Sequence, residues 1–100
     1  MKVDSNAQGF LEVGDYVELK DTTELDRYAY GQGLGKIILD GDTKEEVLGI
    51  LEIDDFYGIE SATKENPLTF LGDGSLTLGE GNPSYDVYKR DGLYVVERVR

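Results

Sequence analysis

Residues Phe10 to Lys20 read FLEVGDYVELK. Leu11, Val13, Val17 and Leu19 are apolar, and on either side of Gly14-Asp15 the apolar and polar residues alternate with period two. That alternation is how a half-buried strand reads. Gly14, in the middle, marks a bulge or bend in it. The expectation is a first strand over this whole stretch, with the remaining short strands laid against it.

Toward the start of the chain, Met1 to Gln8 is polar and reads as a loose lead-in. The domain organisation is therefore a flexible lead-in over 1–9 and a single β domain over 10–100. On the other side, Asp21 to Gly35 (DTTELDRYAYGQGLG) is a long connection. Thr23-x-x-Asp26 gives a weak helix-start pattern there, and Gly31 would end one or two helical turns. An irregular loop is the alternative. Lys36 to Leu39 is a short β run closed by the turn residues Asp40-Gly41-Asp42. Val47 to Ile53 (VLGILEI) is the most apolar segment and is expected as the central strand, bulged at Gly49. Phe56 to Ile59 continues or follows it after Asp54-Asp55. Ala62 to Pro67 reads as a loop, and Leu68 to Leu71 with Leu76 to Leu78 as a hairpin around Gly72 to Ser75. Gly79 to Ser84 carries the least structural signal.

The last hairpin has the clearest local signal, with Tyr85 to Lys89 and Leu93 to Val99 flanking Arg90-Asp91-Gly92. A two-residue Asp-Gly turn sets Asp86 across from Glu97, and like charges in that position are unfavourable. A three-residue loop with Gly92 left-handed instead sets Val87 against Val95 and Tyr88 against Tyr94. The charge argument favours the second register. About seven short strands with turns between them predict an all-β fold, with one short helix allowed in the first long loop. The expected architecture is a small barrel or a compact, mostly antiparallel β-sandwich.

Val13-Gly14-Asp15-Tyr16-Val17, followed by Gly33-Leu34-Gly35-Lys36-Ile37, resembles the opening of SH3-like small barrels. These begin with a Gly-Asp-x-Val strand, a loop and a Gly-x-Ile strand, as in KOW modules and the polymerase-interacting domains of transcription factors. The likeness runs from Val13 to Ile38. It implies a barrel fold and a binding role, with no named ligand.

The chain has 100 residues and a net charge of −11, with 39% hydrophobic residues, no Cys and no His. One domain of this length buries roughly two-thirds of its unfolded surface, enough for one modest core. Apolar runs such as Val47 to Leu51 argue for a folded chain despite the charge. Without Cys, disulfides, Cys-ligated zinc and thiol nucleophiles are excluded, which suits a reducing cytoplasm and equally many secreted bacterial proteins. MKVDSNAQGFLEV lacks the apolar core of a signal peptide, and no apolar run approaches the ~20 residues of a membrane helix. A soluble cytoplasmic protein is the default expectation. From Asp40 to Asp86 there are twelve acids against two lysines, a local balance of −10. Phosphate contacts need Lys and Arg, so direct nucleic-acid binding and anionic membrane surfaces are disfavoured.

Catalytic signals are weak. Gly31-x-Gly33-x-Gly35 precedes a β run instead of a helix, so it reads as turn flexibility, not a phosphate loop. Asp40-x-Asp42 opens like a calcium loop, but Lys44, Glu45 and Leu51 occupy its fifth, sixth and twelfth positions. The absence of His and Cys removes the usual proton shuttles and activated thiols. Neither an enzyme, a cofactor nor a metal is expected. Tyrosine is abundant, seven against three Phe. Tyr16, Tyr57, Tyr85, Tyr88 and Tyr94 are expected on the rims of a small core. Tyr28 and Tyr30, beside Glu24 and Asp26 in the first long loop, are expected as contact residues, because tyrosine gathers at binding surfaces.

These features lead to a non-enzymatic, acidic protein-binding module for a basic protein partner. Glu24, Asp26, Tyr28, Tyr30, Asp40, Asp42, Asp54 and Asp55 are its candidate contact residues. A second expectation is an inhibitor that mimics nucleic acid, since small acidic anti-defence proteins of phages are similar in size and charge. A third is a structural subunit that pairs into homo-oligomers through an exposed last strand, Leu93 to Val99.

Overall fold

The computed structural model describes residues 1–6, 11–31, 46–47, 53–72 and 81–100, with the backbone alone at 30–31, 46–47 and 53–56. Five strands and two helices follow one another as β1 (Tyr16–Leu19), α1 (Thr22–Gly31), β2 (Glu46–Val47), α2 (Ile53–Glu60), β3 (Leu68–Leu71), β4 (Ser84–Arg90) and β5 (Leu93–Arg98). The strands form one sheet in the order β1-β5-β4-β3-β2. All neighbours are antiparallel except β2 and β3, which run parallel. The fold is thus mostly antiparallel β, with two short helices where one was allowed. Among the described residues the sheet is open, with no barrel closure and no second sheet.

The β4–β5 hairpin takes the two-residue turn, not the three-residue loop. Arg90 pairs with Leu93, Val87 with Val96 and Tyr88 with Val95. Asp91 (φ 54°) and Gly92 (φ 78°) are both left-handed, the geometry of a type I′ turn, whose twist matches that of the strands it joins. Asp86 does stand opposite Glu97. Each carboxylate has a donor of its own: Thr69 Oγ1 donates to Asp86 Oδ1 (3.1 Å) and Tyr88 OH to Glu97 Oε1 (3.2 Å).

The first strand is shorter than its alternation suggested. Gly14 (φ 92°) belongs to a turn in which Asp15 N–H donates to Glu12 C=O (2.9 Å), and only Tyr16–Leu19 is strand. Val13 is 63% exposed as a result. Leu11 is buried, its carbonyl accepting from Arg98 Nη1 at 2.8 Å. The chain start is not a free lead-in over its first residues: Val3 N–H donates to Tyr16 C=O and Tyr16 N–H to Met1 C=O.

The first long connection contains α1. Its cap is Asp21, whose Oδ1 accepts from Glu24 N–H (2.8 Å), while Glu24 Oε2 accepts from Lys20 N–H (2.6 Å). The two bonds satisfy one donor in the first turn, Glu24 N–H, and one just before the helix, Lys20 N–H. Leu25, Tyr28 and Ala29, spaced one turn apart, are buried. Gly33 to Ile37, the second half of the barrel-like pattern, lie outside the described residues.

Of the expected central strand Val47 to Ile53 only the two ends are described, residues 48–52 lying outside the described residues, and neither end is in a central strand. Glu46–Val47 sits at the sheet edge beside Phe70 and Leu71, and Ile53 already begins α2. Adjacent parallel strands need a crossover connection, and α2 lies in the link from β2 to β3. Phe56 to Ile59 is accordingly helical. Phe70 and Leu71 have β2 on one side and β4 on the other, which leaves those two residues no open side for the expected hairpin partner. Leu76–Leu78 themselves lie outside the described residues. The last strand is no edge either. β5 is bonded to β1 and to β4, which leaves Leu93 to Val99 without an open ladder for edge pairing to another copy.

One core joins the helices to one face of the sheet, with Leu25, Tyr28, Ala29 and Ile59 packed among Val17, Leu19, Phe70, Tyr85, Val87, Tyr94 and Val96. A smaller cluster of Tyr88, Val95 and Ala62 lies apart from it. Replacing Gly92 by Ala puts a Cβ in open space but on a left-handed backbone. We expect a loss of about 1 kcal/mol, read as a lower urea midpoint at unchanged slope.

Candidate functional site

The structure gathers six of the eight expected contact residues on the helical layer. Glu24, Asp26, Tyr28 and Tyr30 belong to α1, and Asp54 and Asp55 to α2. The two helices share one sheet face, since Ile59 joins the same core as Leu25 and Ala29. Asp40 and Asp42 lie outside the described residues.

Tyr28 faces inward instead of lying on a free loop. It is 8% exposed and belongs to the core. Burial, with Tyr85 as a lesser influence, pushes its phenol up to about 12 from an ordinary 10.0. Glu24 has a structural task in capping α1, and Asp26 is half-buried. Among the five tyrosines expected at core rims, Tyr85, Tyr88 and Tyr94 are buried and Tyr16 half-buried, but Tyr57 is 70% exposed. In a helix, two residues turn roughly 200°, so Tyr57 points away from the core side occupied by buried Ile59. The spacing Ile53, Phe56, Ile59 is the signal that would have shown this.

The C-terminal end of α2 is clipped to the sheet by a polar cluster. Glu60 Oε2 accepts from Lys89 Nζ at 2.6 Å, and Glu60 Oε1 accepts from Tyr94 OH. Lys89 Nζ also lies 4.9 Å from the centre of the Tyr94 ring. The Lys89 hydrogen bond, then that of Tyr94, hold the Glu60 carboxyl below its ordinary range. The hydrogen bond to Glu60 raises both Lys89 and Tyr94. At neutral pH the carboxylate stays charged, the ammonium charged and the phenol neutral. This stabilises an anchor and leaves no base or nucleophile poised for proton transfer. Among the described residues, no group of three or more acids could hold a metal ion, and no helix is long and apolar enough to cross a membrane.

The helical layer exposes the Tyr57 ring on a helix whose sequence is acidic. α2 carries Asp54, Asp55 and Glu60 and no base, and Asp54 lies one turn before Tyr57. No family model, curated protein or solved structure matches the chain.

Two titrations check these assignments. The raised Tyr28 phenol stabilises the fold fully below its unfolded value of 10.0, and this contribution is lost as pH rises through about 12. The loss is about 2–3 kcal/mol, so unfolding free energy should fall across that window and fall less in Tyr28→Phe. The depressed Glu60 carboxyl acts oppositely: its contribution is present above the ordinary carboxylate range and disappears as pH falls through the lowered value. Glu60→Gln should melt lower than the wild type at neutral pH, with the gap closing in acid.

Proposed function

We propose that this protein is a non-enzymatic binding module that receives a basic protein partner on its helical layer, with Tyr57 as the contact anchor. The observation that carries this reading is a tyrosine ring 70% exposed on a helix whose charged residues are all acids. An exposed ring keeps a rigid apolar face in water, and its burial against a partner is favourable at little cost in side-chain freedom. The surrounding acids, in a chain of net charge −11, attract a basic surface and repel acidic competitors, which raises association rate and selectivity. Of the α2 acids, Glu60 is engaged with Lys89; Asp54 and Asp55 are the charges assigned to the partner. The polar cluster at Glu60 supports this role by fixing the helix to β4 and β5, so little ordering is needed on binding. The reading requires no closed barrel.

The test is retention from native cell extract on immobilised wild-type protein, on Tyr57→Ala and on Asp54→Lys/Asp55→Lys. We expect one basic protein to be held at low salt and released near 1 M salt, where the screening length is about 3 Å. Tyr57→Ala should weaken its binding about tenfold or more, and the double lysine variant should slow its association. Retention of that protein unchanged by salt and by both variants overturns the proposal. Displacement of the retained protein by duplex DNA assigns the nucleic-acid mimic instead.

A further inference from the structure

The sheet face turned away from the helices is capped by side chains of the sheet itself. Strand alternation places Tyr16 and Glu18 of β1, Val95 and Glu97 of β5, and Asp86, Tyr88 and Arg90 of β4 on that face. Val95 and Tyr88 are buried, with Tyr16 packed against them. The Arg90 guanidinium carbon lies 5.4 Å from the centre of the Tyr16 ring and 5.8 Å from that of Tyr88. A half-buried cation is therefore held against two phenol rings.

The acids on the same face are occupied by other donors. Glu18 pairs with Lys2 Nζ at 3.1 Å, Asp86 accepts from Thr69, and Glu97 accepts from Tyr88 OH. Among the described residues the Arg90 side chain makes no hydrogen bond or ion pair beyond its contacts with the two rings, in a chain with twenty-one acids and ten bases. Contact with aromatic rings engages the guanidinium's π surface and leaves its N–H fork, which lies in the guanidinium plane, available. The rings also fix the side chain in advance, so little rotamer freedom is lost when an acceptor arrives.

We infer that Arg90, held by Tyr16 and Tyr88, is a recognition site for a carboxylate. The fork matches a planar carboxylate with two parallel N–H···O bonds. A single negative charge is the better match than a phosphate dianion, because Glu18 and Glu97 share the face and repel the second charge. The carboxylate comes from an acidic side chain or from a chain end. The site lies across the sheet from Tyr57 and is independent of the basic partner proposed there.

The experiment is an NMR titration of the full chain with sodium acetate, against sodium chloride of matched ionic strength, following Arg90 Nε–H and the Tyr16 and Tyr88 ring signals. A saturable shift at these three residues with acetate alone is expected. Arg90→Lys keeps the charge and loses the fork, and should weaken the effect about tenfold; Arg90→Gln should abolish it. N-acetyl-alanine and the α-amide of N-acetylglutamate then separate the sources, since the one that saturates first names a chain end or a side chain. Non-saturating shifts spread over all lysines and arginines overturn the inference, as does an Arg90→Lys variant that titrates like the wild type. Inorganic phosphate saturating at lower concentration than acetate overturns the carboxylate assignment. If Arg90→Gln fails to fold, wild type and Arg90→Lys decide.

Discussion

The left-handed pair Asp91-Gly92 is the constraint on which the rest of the sheet depends. Two residues with positive φ close the β4–β5 loop at its shortest and fix every pairing along both strands. Shifting the register by one residue would bring Val87 opposite Val95 and Tyr85 opposite Glu97. Glu97 would then enter the helix-covered core, and Val96 would sit beside Asp86 on the other face. The observed register sets Asp86 against Glu97 instead, at a cost of roughly 0.2–1 kcal/mol before any hydrogen bonds. Burying one valine side chain returns about 1.5–3 kcal/mol, and Val87, Val95 and Val96 are all fully buried. Core burial outweighs the charge repulsion, and the hydroxyls of Thr69 and Tyr88 soften what remains.

With β5 held between β4 and β1, the two faces of the sheet acquire different characters. Tyr94 and Val96 point to the side where α1 and α2 pack, and Val95 to the other. The parallel β2–β3 pair reinforces this asymmetry, since the connection between such strands must leave the sheet and return. Gly58 lets α2 approach β3 closely, because a Cβ there would come within 2.9 Å of Leu68 Cδ1. One face is therefore covered by an acidic helical layer, whereas over Val95 the other is capped by tyrosines and an arginine.

Local sequence signals made part of this legible. β3, β4, β5 and the loop over 62–67 follow from short apolar runs and turn residues. The helices were harder, for two reasons. The residue that caps α1 is Asp21, through Glu24 N–H, two positions before the Thr23-x-x-Asp26 pattern. In Val47 to Ile59, continuity of apolar residues hid the three-residue spacing of Ile53, Phe56 and Ile59. In a loop Tyr28 would be free to make contacts, and in a strand Tyr57 would alternate into a core. Once both are helical, Tyr28 turns inward with Leu25 and Tyr57 turns outward from Ile59. The contact of Arg90 with Tyr16 was legible at no local level, because it crosses β5 and depends on strand order.

The placement of the bases shows why charge count alone is a poor guide to surface chemistry here. Several serve as internal fasteners: Lys2 on Glu18, Lys89 on Glu60, and Arg98 on the Leu11 carbonyl. In so acidic a chain the two ion pairs relieve some self-repulsion, and all three contacts tie together segments distant in sequence. Surface ion pairs of this kind contribute little individually, a median of about 0–1 kcal/mol, so their value lies mainly in positioning. Lys2 draws the chain start along β1, and Lys89 holds the end of α2 on the sheet. Arg90 departs from the pattern. Acids are abundant, yet its guanidinium rests on two aromatic rings, because Tyr88 and Lys2 already occupy the carboxylates nearest in register. The same strand order that buries Val95 thus isolates a cation above it, on the face opposite the acidic helices.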